Sequence, residues 1–193
     1  MLANVRPGTE DNNAIEAIYN QAVYTRQFAT ANQAFSTLLA QEAERDPRSF
    51  IVGTLEVQLG DFKRLAGDAA GAKAHYERAL AVAMVESKRQ PDNPFVLEVL
   101  ALASCGLGDR VAAMTYADRL VALVPVTADA FLGMVLEGTR LRVWARFGDA
   151  DRAIPALERL LKAPGGFYTP AILRVDPDFD KLRGNPRFEA LLK

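Results

Sequence analysis

Few residues in this chain are of types that carry chemistry, and their spacing limits what each can do. There is one histidine, His75, and one cysteine, Cys105. A thiolate nucleophile needs a base within hydrogen-bond reach and a third group to orient that base. No residue is spaced to orient His75 toward Cys105. His75 is expected on the outward side of a helix with no partner at ligand spacing, and Cys105 as a small hydrophobe near the end of an apolar helix. Asp176, Asp178 and Asp180 alternate like the first ligands of a calcium loop. The glycine and closing glutamate of such a loop are missing, and Pro177 suits the first turn of a helix. Gly165-Gly166 is too isolated to cradle a phosphate, and no phosphate-loop or dinucleotide fingerprint occurs. No catalytic, cofactor-binding or metal-binding residue is expected, and the chain is read as not an enzyme. One pair stands out: Arg142 and Arg146, four apart, share one side of a helix. Two guanidinium forks so placed receive carboxylate or phosphate well.

The elements that hold these residues are legible from a recurrence. Gly67-Asp68 with Ala72, Gly108-Asp109 with Ala113 and Gly148-Asp149 with Ala153 follow one another at intervals of 41 and 40 residues. Glycine just past a helix can adopt the left-handed conformation that ends it, and aspartate can cap the next helix. Gly-Asp is therefore a two-residue hinge between antiparallel helices, and the fixed interval marks a stacked repeat. Apolar residues recur every three or four positions almost throughout, with little alternation, so the chain reads as all-α.

The first hairpin is expected from Asn12, with Ile15, Ile18, Tyr19 and Ala22 on one helix and Ala31, Phe35, Leu38 and Leu39 on the next. Its hinge lies near Arg26-Gln27 and lacks Gly-Asp. Asp46-Pro47 reads as a cap and first-turn proline. The second hairpin spans about 49–89. The third runs from Pro94, capped by Asn93, to Val124. The fourth starts at a Thr127 cap, with Pro155 kinking or delaying its second helix, and ends near Pro164-Gly165-Gly166. Asp176-Pro177 and Asn185-Pro186 open two short helices carrying Phe179, Leu182, Phe188, Leu191 and Leu192. They fit a lid over the last apolar face. The divisions are an extended leader, 1–10, helical repeats, 11–164, and a capping segment, 165–193.

Bulk properties agree with a folded interaction domain. Of 193 residues, 50% are apolar, and the formal charge is −1. That excludes a disordered chain and gives no global pull toward nucleic acid or anionic membrane. The charge is uneven: residues 1–137 hold 12 basic and 17 acidic groups, and 138–193 hold 11 and 7. One cysteine allows no internal disulfide and suits a reducing cytoplasm. No apolar run is long enough to cross a bilayer.

The spacing resembles the tetratricopeptide repeat, whose pattern places Leu-Gly in a first helix, then Ala-x3-aromatic and a small residue in the second, then Pro. The second copy reads Leu59-Gly60, Gly67-Asp68, Ala72, Tyr76, Ala79. The third reads Leu97, Leu100-Ala101, Gly108-Asp109, Ala113, Ala117, Leu120, Pro125. The fourth reads Trp144, Gly148-Asp149, Ala153, Leu157, Leu160, and the first offers Ala31 and Phe35. Glu56 and Lys63 depart from the pattern, and the interval exceeds the family's usual length of about 34. The closing stretch from Leu173 to Leu192 is similar to the end of tetratricopeptide regions at the C-terminus of larger bacterial signalling proteins, namely kinases, cyclases and winged-helix regulators.

The resemblance implies a right-handed α-α superhelix of about four hairpins with a short C-terminal helical cap, and a ligand on the concave face of the first helices. Carried over by position, that face holds Glu16, Asn20, Tyr24, Val57, Asp61, Arg64, Phe95, Glu98, Leu102, Gly138, Arg142 and Arg146. Tyr24, Arg64, Phe95, Arg142 and Arg146 are the expected partner-binding residues. Of the subgroup clamp for a peptide's terminal carboxylate only Asn20 is present; Glu16, Gln58, Phe95 and Val99 stand at its other positions. The implied function is a non-catalytic protein–protein interaction or regulatory module for a protein or peptide segment. A small-molecule or peptide sensor and a nucleic-acid-associated regulator are the alternatives. No nucleic-acid partner, cofactor or membrane insertion is expected. A cytoplasmic location is expected, with a periplasmic domain of an anchored signalling protein as the alternative. Arg142→Glu with Arg146→Glu is expected to abolish partner capture without changing the melting temperature.

Overall fold

A computed structural model describes residues 12–163 and 168–193, and their regular structure is entirely helical. The expected leader, 1–10, and the Pro164-Gly165-Gly166 end of the fourth hairpin lie outside the described residues. Eight helices form four successive hairpins: α1 (Asn12–Thr25) with α2 (Phe28–Arg45), α3 (Phe50–Leu65) with α4 (Ala69–Arg89), α5 (Pro94–Gly106) with α6 (Arg110–Leu123), and α7 (Ala130–Arg146) with α8 (Ala150–Leu160). The tail holds α9 (Pro170–Val175), a 3-10 helix (Pro177–Leu182) and α10 (Pro186–Ala190).

The Gly-Asp joins fold as their residue types dictate. Gly67, Gly108 and Gly148 take φ of 84°, 80° and 72°. The amide of the following aspartate then donates five residues back, as in Asp68 N to Lys63 O (2.9 Å), Asp109 N to Ser104 O (3.0 Å) and Asp149 N to Trp144 O (2.9 Å). This six-to-one closure satisfies carbonyls the helix end would leave bare. Each aspartate carboxylate turns to cap the next helix, Asp68 accepting from Gly71 N (2.8 Å) and Asp109 from Ala112 N (3.0 Å). Ala72, Ala113 and Ala153 are all buried where the second helices meet their neighbours.

Three expected boundaries are corrected. Asp129 caps α7, accepting from Phe131 N and Leu132 N, and Thr127 belongs to the preceding turn. Asp46-Pro47 does not start α3; Asp46 closes α2, and Ser49 caps α3 by accepting from Ile51 N. Pro155 does not delay α8, which begins at Ala150 and carries the proline inside it. Its missing N–H removes the usual donor to the Asp151 carbonyl.

Packing follows chain order. Besides its hairpin contacts, α2 lies on α3, α4 on α5 and α6 on α7, while α3, α5 and α7 also pack side by side. The odd-numbered helices therefore share one face of the array. The tail closes its end: the 3-10 helix packs on α7 and α10 on α8. Leu173, Phe179, Leu182 and Phe188 are fully buried there with Leu141, Ile154 and Leu157. Among the described residues no helix is long and apolar enough to cross a membrane.

Asp109→Ala removes a cap from α6 and leaves its core contacts intact. It is expected to lower stability by about 1 kcal/mol, seen as a shift of the urea midpoint with an unchanged slope.

Candidate functional site

The shared face of the odd-numbered helices gathers a cluster of charges around Asp61, on the last turns of α3. Asp61 is fully buried. Tyr76 of α4 reaches it because two positions beside the ring lack side chains. A Cβ on Gly60 would meet the ring at 2.7 Å and one on Gly106 at 2.5 Å. Through that gap the Tyr76 hydroxyl donates to Asp61 Oδ1 at 2.6 Å, and Tyr19 of α1 donates to Oδ2 at 2.7 Å.

Three arginines converge on the same carboxylate and on Asp178 of the tail. Arg146 donates from Nη2 to Asp61 (2.7 Å) and from Nε to Asp178 (2.6 Å). Arg142 donates from Nε to Asp178 at 2.6 Å and turns Nη2 toward the Tyr19 hydroxyl at 3.4 Å. Arg64 lies 3.5 Å from Asp61 and 3.6 Å from Asp178. Asp178 is placed by a short cap: Asp176 Oδ1 accepts the Asp178 amide at 2.9 Å, and Pro177 opens the 3-10 helix between them. The Nη1 of Arg146 is buried without an acceptor among the described residues.

Electrostatics decide which carboxylates ionise. Burial would raise Asp61, but the charges of Arg146 and Arg64 outweigh it and hold the carboxyl well below its ordinary range. Asp178 is lowered likewise, by Arg146 and Arg142 against burial. For Asp176, burial and the charge of Asp178 outweigh the pull of Arg142 and Arg146 and push it up to about 6. Glu98 of α5 is raised by burial, and the hydroxyl of Thr139, donating at 2.5 Å, only partly offsets this. Burial raises Tyr19 and Tyr76 and pushes Tyr24 up to about 12, so their hydroxyls stay protonated and remain donors.

The five expected partner-binding residues fall into two groups. Arg64, Arg142 and Arg146 come together, and the carboxylates that their forks receive are the chain's own. Arg146 is only 7% exposed and Arg142 23%. The double change to glutamate therefore cannot leave stability untouched, which corrects that expectation: it would set four acids against one another in a buried site. Phe95 stands apart, 41% exposed and stacked on Phe50 with ring centres 5.1 Å apart. Tyr24 is half-buried beside the tail. Val57 and Leu102, positionally on the face, belong to the core.

His75 is half-buried, and its Nδ1 lies 2.6 Å from Glu56, which takes Arg78 Nε at 2.8 Å. Burial opposes ionisation of Glu56, and the bonds to His75 and Arg78 lower it. The departure of Glu56 from the repeat pattern is thus matched one helix away. Cys105 is buried in the core, where burial raises its thiol. Asp180 pairs with Arg26 and Arg183, so the three tail aspartates serve three different partners. Among the described residues, no group of three His, Cys, Asp or Glu side chains could hold a metal ion.

Sequence reasoning missed Asp178 as a member of this site and treated Asp61 as one position among many. The available signal was Asp61 between Gly60 and Phe62, on the helix whose Leu59-Gly60 carries the repeat pattern. No family model matches the chain, and the curated proteins give no match.

Asp61→Asn removes the charge that three arginines share. A broken buried pair costs about 3–5 kcal/mol, so the melting temperature should fall by roughly 10 °C. Arg26→Ala breaks a pair with both partners nearly half exposed and should cost less than about 1 kcal/mol. Equal losses from the two changes would refute the ranking.

Because folding raises Asp176, its contribution to stability is full below the ordinary value and is lost as pH rises through about 6. Asn keeps the capping oxygen without the charge. Asp176→Asn should therefore raise the melting temperature at pH 7 by about 2–4 °C and change it little at pH 4, read by differential scanning fluorimetry.

Proposed function

We propose that this chain is a non-catalytic interaction module: tetratricopeptide-like hairpins stacked as a right-handed solenoid under a helical lid, holding a protein or peptide segment on the inner curve. The observation that carries the reading is the join itself. A left-handed glycine followed by a capping aspartate recurs at a fixed interval and links hairpins that pack in chain order, with α3, α5 and α7 side by side. Hairpins built this way hide their apolar sides on neighbours and leave one face of the first helices for a ligand.

The occupant is a protein or peptide rather than a nucleic acid. The basic excess of the last 56 residues includes Arg142 and Arg146, whose charges are met by Asp61 and Asp178 and so offer little to phosphates. The accessible contacts on this face are Phe95, an aromatic anchor, and the rim of Arg64, 34% exposed. Such a pairing suits a segment that presents an apolar side chain near a carboxylate. The setting is a bacterial signalling protein in the cytoplasm, with the resemblance of the tail as its support.

A photo-crosslinking residue placed at Phe95 should trap a partner that the same residue at Val111, 78% exposed on α6, does not. Phe95→Asp should then reduce recovery of that partner about tenfold while moving the melting temperature by less than about 2 °C. Equal recovery from both positions, or capture indifferent to Phe95→Asp, overturns the assignment.

A further inference from the structure

The join between α1 and α2 is built from different residues than the other three. There the left-handed residue is Arg26, with φ of 58°, an L side chain in a conformation that its own Cβ disfavours. Gln27, which precedes α2, makes no side-chain capping bond. From Asn12 to Arg45 the sequence contains neither glycine nor proline, and Thr25-Arg26-Gln27-Phe28 holds no residue type that stops a helix. The stop is closed by the same six-to-one backbone bond as the other joins, Gln27 N to Ala22 O at 3.1 Å, but with an arginine in the left-handed place that glycine fills elsewhere.

Tertiary contacts hold α1 in this folded-back position. The Tyr19 hydroxyl is held between Asp61 and Arg142. Arg26 pairs with Asp180 of the tail at 3.3 Å. Ile18, Ala22 and Val23 pack among Phe35, Leu55, Leu59 and Phe62. Backbone packing of α1 is light on both α2, its own hairpin partner, and α3. These contacts fold α1 back over the charge cluster.

The geometry points to α1 as a hinged arm: it closes over the cluster at Asp61 and Arg142, and it opens by straightening into α2, with Arg26 and Gln27 joining the helix. Opening relieves the left-handed arginine and removes an uncapped helix start. It exposes Ile18, Tyr19, Ala22 and Val23, so the closed arm is the major state of the free chain. Opening also uncovers the Asp61 carboxylate that the Tyr19 hydroxyl meets in the closed arm; the hinge needs no partner.

The test uses the full chain without ligand, with Cys105→Ala and spin labels on cysteines introduced at Ala17 and Glu158, both exposed. Pulsed dipolar spectroscopy should give a major distance and a minor, different one. Tyr19→Phe should raise the minor population about fivefold by removing the hydroxyl latch. Gln27→Asp should lower it about fivefold by giving α2 a cap. Helical ellipticity should stay constant throughout. A single distance unchanged in both variants overturns the hinge. A second distance that appears with loss of ellipticity also overturns it, because the arm would then detach by melting. Failure of the crosslinking experiment above would leave these distances unaffected, so the two inferences fail separately.

Discussion

The structure depends on a fully buried carboxylate that is kept charged. Asp61 accepts from two tyrosine hydroxyls and lies against three guanidinium groups. Removing a carboxylate from water costs several kcal/mol in a protein interior, and only close cations with good geometry offset that. The offset is assembled from distant parts of the chain: α1, α3, α4, α7 and the tail must all be present for the charge to be tolerable. Apolar packing between successive hairpins is local in sequence, but this interaction is not. It ties the first helix to the last hairpin and sets how the odd-numbered helices converge.

The tail takes part in the same balance. Asp178 stands where an acidic partner could otherwise meet Arg142 and Arg146, which invites a reading of the tail as a displaceable occupant. Burial argues otherwise. Four large side chains of the tail, Leu173, Phe179, Leu182 and Phe188, are at most 1% exposed. At about 1.5–3 kcal/mol each, lifting them would cost much of the 5–15 kcal/mol that ordinarily separates folded from unfolded chains. The tail is a structural lid whose acidic edge completes the cluster. The arm at the other end of the chain is held less deeply, because its buried residues retain 4–8% exposure and its join puts an arginine in the left-handed region and leaves α2 without a side-chain cap.

Function on this scaffold is consequently a question of what remains accessible. The basic pair that looks most like a ligand receiver in the sequence is internally neutralised. The aromatic at Phe95 and the rim at Arg64 remain. Under the proposed function, selection would rest on shape and a few anchors more than on net field, in keeping with a chain of formal charge −1.

The sequence by itself determined the helices and their joins. Gly-Asp at Gly67, Gly108 and Gly148 specifies a left-handed stop and a cap through the conformational freedom of one residue and the short carboxylate of the next. Those preferences act within a few residues, which is why they can be read without a fold. The same locality explains the misplaced starts: Thr127 and Asp46 are good cap types, but neighbouring Asp129 and Ser49 hold the better-placed oxygens. Only the tertiary structure decided that Arg142 and Arg146 are already paired, that Asp178 crosses from the lid to meet them, and that His75 leans on Glu56. Charges find partners through space, and a partner 32 or 85 positions away along the chain leaves no periodic trace in the sequence. The break at Arg26 belongs to both classes: the hairpin pattern places a hinge near Arg26-Gln27 without a stop residue, and distant contacts of Tyr19 and Arg26 hold the arm down.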